Sequence, residues 1–146
     1  VIADLASLTA HRLQRQHVEL ELNIDAHLPS IAADPDQLRQ VLLNLILNAL
    51  DAQPEGGMIR VEASRIEPAA EGNGSIRIVV SDDGPGVPED MRDRIFEPFV
   101  SSRDAGTGLG LSICRRIIEQ HRGTIHLAEP SIERGAAFVI ELPVHD

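Results

Sequence analysis

Residues 36–53 form the feature that most limits how this chain can fold, because two asparagines interrupt an otherwise apolar helical segment. Asp34 and Pro35 provide an N-cap and a first helical residue. One stripe of the helix is polar, since residues three or four apart lie on one side: Gln40, Asn44, Asn48 and Asp51. The other faces are apolar: Leu38, Val41, Leu42, Leu45, Ile46, Ala49 and Leu50. The stripe either faces solvent or lines a cleft whose amide oxygens suit a hard cation such as Mg²⁺.

Composition limits the class of protein further. The 146 residues suit a single domain over 1–146, and three Phe with no Trp or Tyr require an aliphatic core. A net charge of −10 and the lack of stacking platforms argue against a nucleic-acid partner. Cys114 is the only cysteine, which excludes an internal disulfide and fits a reducing, cytoplasmic location. No apolar run has the length of a membrane span, and the start at Val1 favours a fragment of a longer protein.

Hydrophobic periodicity predicts an α+β fold, a two-layer sandwich in which helices cover one face of a mixed, mostly antiparallel sheet. The first helix has apolar positions at Ile2, Leu5, Leu8 and Leu13. A helix over 109–121 has a stripe at Leu109, Ile113, Ile117 and His121, flanked by Ile118 and by Cys114, which is expected to pack on the buried face. Gly123 is expected to end that second helix. The full set of predicted elements is helices at 2–15, 36–53, 88–95 and 109–121, and strands at 18–25, 58–64, 75–82, 124–129 and 136–142.

Two glycine-containing segments are candidates for ligand binding. In residues 81–88, Asp82 ends a strand and could accept a hydrogen bond from an exocyclic amine, while Gly84 and Gly86 allow close backbone approach. The alternative is an ordinary Asp-Gly turn. In residues 106–112, three alternate glycines enter a helix whose first amides could hold phosphates, and the alternative is a flexible linker. The spacing fits neither a dinucleotide fingerprint nor a P-loop.

Taken in order, these motifs resemble the ATP-binding catalytic domain of bacterial two-component sensor histidine kinases, a branch of the Bergerat-fold or gyrase–chaperone–kinase superfamily. QVLLNLILNALDA resembles the N box of that family, DDGPG the G1 box, IFEPF the F box and GTGLGLS the G2 box. The segments NALDAQPEGG and FVSSRDAGTGLGLSICRRIIEQH look most similar to the nitrogen-regulation type of sensor kinase. The resemblance extends over nearly the whole chain.

The resemblance implies roles for individual residues. Asn48 would bind Mg²⁺ at the ATP phosphates, with Asn44 one turn earlier lining the same cleft. Asp82 would bind the adenine amino group, and Gly84 and Gly86 would shape its pocket. The remaining implied contacts are Phe96 and Phe99 as lid anchors, Arg103 at the γ-phosphate, and the phosphate-binding loop Gly106, Thr107, Gly108, Leu109 and Gly110.

Two positions depart from the family pattern. Asp51 stands one turn after the metal asparagine, where many members have Lys or Arg. Asn44 stands where ATP-hydrolysing relatives have a Glu that activates water, and an amide cannot take a proton at neutral pH. Phosphoryl transfer is therefore expected rather than hydrolysis, with Asn44 and Arg103 as the residues nearest the chemistry.

The expected function is to bind Mg-ATP and donate the γ-phosphoryl group to a histidine on a separate dimerisation hairpin of the same kinase. That histidine would then supply the aspartate of a response regulator receiver domain. The domain alone should be monomeric, turn over little ATP, and contact neither nucleic acid nor membrane directly. The alternatives are a superfamily ATPase, a serine kinase of the anti-sigma-factor type, and a non-catalytic nucleotide-binding docking module.

Overall fold

The chain folds around one five-stranded sheet. The computed structural model describes residues 2–29, 31–67, 74–98, 110–128 and 135–144. The elements in chain order are α1 (Ile2–Gln16), β1 (Val18–Ile24), α2 (Pro35–Ala52), β2 (Gly57–Ile66), β3 (Ser75–Asp82), a 3₁₀ turn (Glu89–Met91), α3 (Gly110–Gln120), β4 (Thr124–Leu127) and β5 (Ala137–Pro143). Among the described residues, no helix combines the length and apolar composition that a membrane crossing requires.

The sheet is mixed, as the sequence predicted. Its strand order is β1-β2-β3-β5-β4, with β1 and β2 parallel and every other pair antiparallel. The parallel pair is connected through α2, since parallel neighbours need a long crossover. Alternate strand residues are buried against the helices, so β3 buries Ile76, Ile78 and Val80 while Arg77 is exposed. The α+β architecture with a mostly antiparallel sheet is confirmed.

The central helix α2 matches its prediction closely. The Asp34 carboxylate accepts hydrogen bonds from the amides of Asp36 (2.9 Å) and Gln37 (3.2 Å), and Pro35 is the first helical residue. Six apolar residues of α2 are buried: Val41, Leu42, Leu45, Ile46, Ala49 and Leu50. This helix therefore supplies the middle of the aliphatic core.

The apolar stripe predicted for α1 is wrong at Leu8, and the burial of the Ile2 side chain is not among the described features. Leu5 and Leu13 are buried, but Leu8 is 57% exposed. Thr9 lies on the buried side instead, and its hydroxyl donates to the Leu5 carbonyl at 2.6 Å. Every fourth residue from Leu5 to Leu13 is therefore buried. The middle residue, Thr9, satisfies its hydroxyl by bonding the backbone of the same helix.

The stripe predicted for α3 is wrong at Ile113 and correct at Ile117, and its position at Leu109 lies outside the described residues. Its buried side consists of Cys114, Ile117 and Ile118, and Ile113 is 37% exposed. The helix ends near Gly123 as predicted, but Arg122 takes the left-handed conformation, with φ of 62°. Gly123 has a different role, because a Cβ there would lie 2.4 Å from the Glu141 carbonyl oxygen.

The helix predicted over 88–95 is not continuous. Only Glu89–Met91 forms a 3₁₀ turn. The amides of Met91, Arg94 and Glu97 each donate to a carbonyl three residues earlier, at 2.9–3.0 Å. Successive tight turns of this kind give weaker geometry than an α-helix, and they allow Ile95 to reach the core.

Candidate functional site

The polar stripe of α2 divides into two parts in the structure. Asn44 and Asn48 are half-buried, whereas Gln40 and Asp51 are exposed. Asp51 forms an ion pair with Arg12 of α1. The Asp51 carboxylate is therefore paired with a neighbouring helix, at the position where the family pattern has a basic residue. Asn44 and Asn48 form the inner part of the stripe.

Asn44 contacts the side of α3 through Cys114. The Cys114 thiol is fully buried and lies 3.7 Å from the Val41 carbonyl oxygen, to which it donates. Burial raises the pKa of Cys114 to about 11, and a hydrogen bond with the Asn44 side chain partly opposes that shift. The cysteine is thus a packing residue between α2 and α3, as the sequence indicated, and it also contacts the amide of Asn44.

Asp82 ends β3 in a buried position. It is 8% exposed, and its Oδ1 accepts hydrogen bonds from the amides of Gly84 (2.9 Å) and Ala136 (3.3 Å). Its own amide donates to the Ala136 carbonyl at 3.0 Å. Backbone amides on two sides therefore hold the carboxylate in one orientation, as a selective hydrogen-bond acceptor requires.

The two glycines after Asp82 have different reasons to be glycine. A Cβ on Gly84 would lie 3.0 Å from the carbonyl oxygen of Ala52 and 3.1 Å from its Cβ, so the loop packs directly on the last turn of α2. Gly86 has φ of 83°, a left-handed conformation that favours glycine. The sequence predicted close backbone approach for this pair, and Gly84 brings the end of β3 against the end of α2.

Two residues that contact the loop after β3 were not identified from the sequence. Gly135 has φ of 108°, and a Cβ there would lie 1.8 Å from the Asp82 carbonyl oxygen. Gln53, at the C-cap of α2, is 4% exposed, and its Oε1 accepts hydrogen bonds from the amides of Met58 (3.1 Å) and Asp83 (3.3 Å). Only the turn before β5 hinted at Gly135, and Gln53 looked like an ordinary helix end.

Phe96 is half-buried beneath the start of α3. Its ring meets the ring of Phe138 edge-on, with centroids 6.1 Å apart, and the Arg115 guanidinium lies 6.0 Å from its centroid. An open cleft of about 480 Å³ adjoins it, lined by Phe96, Pro98, Ser112, Arg115, Arg116, Glu119 and Gln120. These contacts hold Phe96, one of the two predicted lid anchors, in place.

Several predicted site residues lie outside the described residues: Phe99, Arg103, Gly106, Thr107, Gly108 and Leu109. Gly110 is described. It is the exposed first residue of α3, and no described atom lies within 4 Å of a Cβ built on it. Helix N-termini present amides that suit an anion.

The chain resembles known proteins over most of its length. Residues 33–146 match the family described as histidine kinase-, DNA gyrase B-, and HSP90-like ATPase. Sensor histidine kinase ZraS of Escherichia coli (strain K12) is 40% identical over 149 residues, which cover 97% of this chain and 30% of ZraS. Sensory histidine kinase/phosphatase NtrB of Escherichia coli O157:H7 is 43% identical over 133 residues, 88% of this chain and 38% of NtrB. The chain thus spans about a third of these relatives.

Solved structures agree with the sequence relatives. The nucleotide-free catalytic domain of histidine kinase ThkA has a TM-score of 0.83 at 33% identity, covering 97% of this chain and 89% of that one. ThkA in complex with the response regulator protein TrrA gives 0.80 at 30% identity, over 99% of this chain and 39% of ThkA. The chain belongs to the histidine kinase-, DNA gyrase B- and HSP90-like ATPase family, as an ATP-binding catalytic domain of the sensor histidine kinase type.

Proposed function

We propose that residues 1–146 form a single catalytic domain that binds Mg-ATP between α2 and the loop after β3 and transfers the γ-phosphoryl group to a histidine of a separate hairpin domain. One observation carries the proposal. The buried Asp82 carboxylate is held by backbone amides, and through Gly84 it packs on the same helix that presents Asn48. Adenine recognition and phosphate binding thus share one rigid element.

Asp82 is suited to recognise adenine. A buried carboxylate accepts hydrogen bonds and donates none when ionised, so it favours the adenine amino group over the guanine carbonyl at the same ring position. Its Oδ1 is already held by the amides of Gly84 and Ala136, which fixes the plane of the group. The glycines at 84 and 86 keep side chains away from the base.

Asn48 and Asn44 are suited to the phosphate end of the nucleotide. Both are half-buried on one stripe of α2, and Asn44 contacts Cys114 of α3. An amide oxygen is a ligand that Mg²⁺ accepts beside water and phosphate oxygens. When bound, Mg²⁺ would neutralise charge on the phosphates. Asn48 would hold the ion, and Asn44, held by the Cys114 thiol, would orient the phosphates. The triphosphate loop, Gly106 to Gly110, and Arg103 complete this end, and Phe96 and Phe99 anchor the lid.

The transfer step breaks the bond between the γ-phosphorus and the β–γ bridging oxygen, forms a bond from phosphorus to a histidine nitrogen, and releases ADP. Asn44 favours this outcome over hydrolysis, because an amide cannot accept the proton of an attacking water. The work of the domain is then to position and neutralise the phosphates. The histidine lies on the kinase's dimerisation hairpin, and a response regulator receiver domain takes the phosphoryl group from it. We place the isolated domain in the cytoplasm as a monomer.

Phosphoryl transfer to a separately produced histidine hairpin tests the proposal. The domain is mixed with the hairpin of its own kinase, radiolabelled ATP and Mg²⁺, and acid-labile phosphate on the hairpin is measured. We expect labelling that disappears with Asn48→Ala and persists with Gln40→Ala, the exposed control on the same stripe. Release of inorganic phosphate without hairpin labelling would indicate an ATPase, and ATP binding with neither product would indicate a docking module.

A further inference from the structure

Gln53 joins three elements at the adenine end of the proposed site. The side chain is 4% exposed, and its Oε1 accepts from the amide of Met58 in β2 (3.1 Å) and from the amide of Asp83 after β3 (3.3 Å). Its Nε2 donates to the Ala49 carbonyl at 3.3 Å. Gly57 leaves the room for this arrangement, since a Cβ there would lie 1.9 Å from Oε1.

The Asp83 amide places this side chain next to the nucleotide-recognising loop. Asp82 and Gly84 flank Asp83, and the loop is held from the β5 side by Ala136. From the α2 side it is held by two neighbouring residues, Ala52 through packing against Gly84 and Gln53 through the hydrogen bond. Gln53 therefore provides a polar contact between the end of α2 and the loop of Asp82.

The same helix carries the metal-binding asparagine. Asn48 lies five residues before Gln53, which corresponds to about 7.5 Å along a helix. A helix transmits position rigidly over one and a half turns, so a loop tied to Gln53 keeps a set separation from Asn48. A single nucleotide must reach Asp82 and Asn48 at once, and an error of about 1 Å in their separation weakens its binding.

We propose that Gln53 is a positioning residue for the nucleotide: it holds the loop of Asp82 at the distance from Asn48 that ATP spans. The inference rests on the proposed function of this site. An apolar side chain of the same size would leave the part-buried amides of Met58 and Asp83 without their shared acceptor, so the loop would move to find another partner. The Gln53 side chain bonds backbone groups of Ala49, Met58 and Asp83, so it would act on the nucleotide through the loop.

The test compares ATP affinities by calorimetry, with Mg²⁺, at a temperature where each variant is folded by circular dichroism. Gln53→Met is expected to bind at least about tenfold more weakly than wild type. Gln16→Met is the matched control. Gln16 donates to the carbonyls of Leu50 (3.0 Å) and Gln53 (3.4 Å) at the same helix end but makes no hydrogen bond to the described residues of the loop. We expect its affinity to stay within about twofold of wild type.

Gln53→Glu provides a rescue that a purely structural role would not give. A protonated carboxyl can accept from both amides and donate to the Ala49 carbonyl, whereas the charged form repels that carbonyl, and burial favours the protonated form. Relative to wild type at the same pH, Gln53→Glu should regain ATP affinity as the pH falls from 8 to 6. Gln53→Met should show no such recovery.

If wild type binds ATP, any of three outcomes would overturn this inference and leave the proposed function intact. These are a Gln53→Met affinity within twofold of wild type, an equal loss in Gln16→Met, and no pH-dependent recovery in Gln53→Glu. Should Gln53→Met not fold, hydrogen exchange of the Asp83 amide in wild type decides: protection supports the bond, and exchange at the rate of a free amide refutes it. Wild type that binds no ATP would overturn the proposed function and this inference with it.

Discussion

At the scale of single residues, the two asparagines of α2 have different surroundings. Asn44 forms a hydrogen bond with the buried Cys114 thiol between α2 and α3. Asn48 lies one turn closer to Ala52, which packs on the loop after β3. An amide on a mostly apolar helix needs a partner, and Asn44 finds it in a neighbouring helix. Asn48 is placed between that contact and the adenine end.

Cys114 makes the stability of the domain sensitive to alkaline pH. Burial raises its pKa from 9.0 to about 11, so above pH 9 the unfolded chain loses a proton that the folded protein keeps. The stabilising effect is complete below pH 9 and is lost as the pH rises toward 11. Between pH 8 and 10.5, wild type should lose about 2 kcal/mol more unfolding free energy than Cys114→Ala in urea titrations. Equal losses in both proteins would contradict the buried, protonated thiol.

At the scale of elements, His121 links the end of α3 to the start of α2. Its Nδ1 lies 2.8 Å from the Ile117 carbonyl oxygen, and its Nε2 accepts from the amide of Asp34 at 3.0 Å. This pattern requires the neutral ring with its proton on Nδ1. Asp34 is also the N-cap of α2, so one imidazole orients the two helices that border the proposed cleft.

Replacing His121 should weaken this junction. His121→Ala removes two hydrogen bonds from a half-buried side chain, and we expect a loss of about 1–2 kcal/mol in the free energy of unfolding. His126→Ala, on the exposed side of β4, is the control and should change stability by less than about 0.5 kcal/mol. Chemical denaturation of the three proteins measures the difference. Equal effects of the two substitutions would mean that the imidazole does not join the helices.

At the scale of the whole molecule, nucleotide binding should stabilise the fold selectively. ATP with Mg²⁺ at about 100 times its Kd adds about 2.7 kcal/mol by mass action, which should raise Tm by several degrees, and GTP should add much less. Asp82→Asn keeps an acceptor for Gly84 and Ala136 but turns an amide donor toward the base. This substitution should weaken the binding free energy of ATP by about 1–3 kcal/mol, while the Tm without ligand changes little. A preserved preference for ATP in thermal unfolding would place adenine recognition elsewhere.

The elements with strong local signals were predictable. Asp34 and Pro35 start α2 as expected, and the alternation in 75–82 gives β3 with its observed bounds. Leu8 and Ile113 were assigned to apolar stripes yet are exposed, because burial depends on which side of a helix meets its neighbours. The segment 88–95 was predicted as a helix but forms successive tight turns, since local composition does not distinguish hydrogen bonds to the third preceding residue from those to the fourth.

The amino-acid order by itself determined the family, the α+β class and the candidate positions Asn44, Asn48 and Asp82, because these depend on local spacing and on the order of motifs. Only the tertiary structure decided which distant residues complete the candidate site. Gly135 approaches Asp82 because β5 pairs with β3. The Gln53 side chain accepts from the amide of Asp83 because α2 ends beside β2 and β3. Contacts between residues 30 to 55 positions apart arise from packing, which no local pattern records.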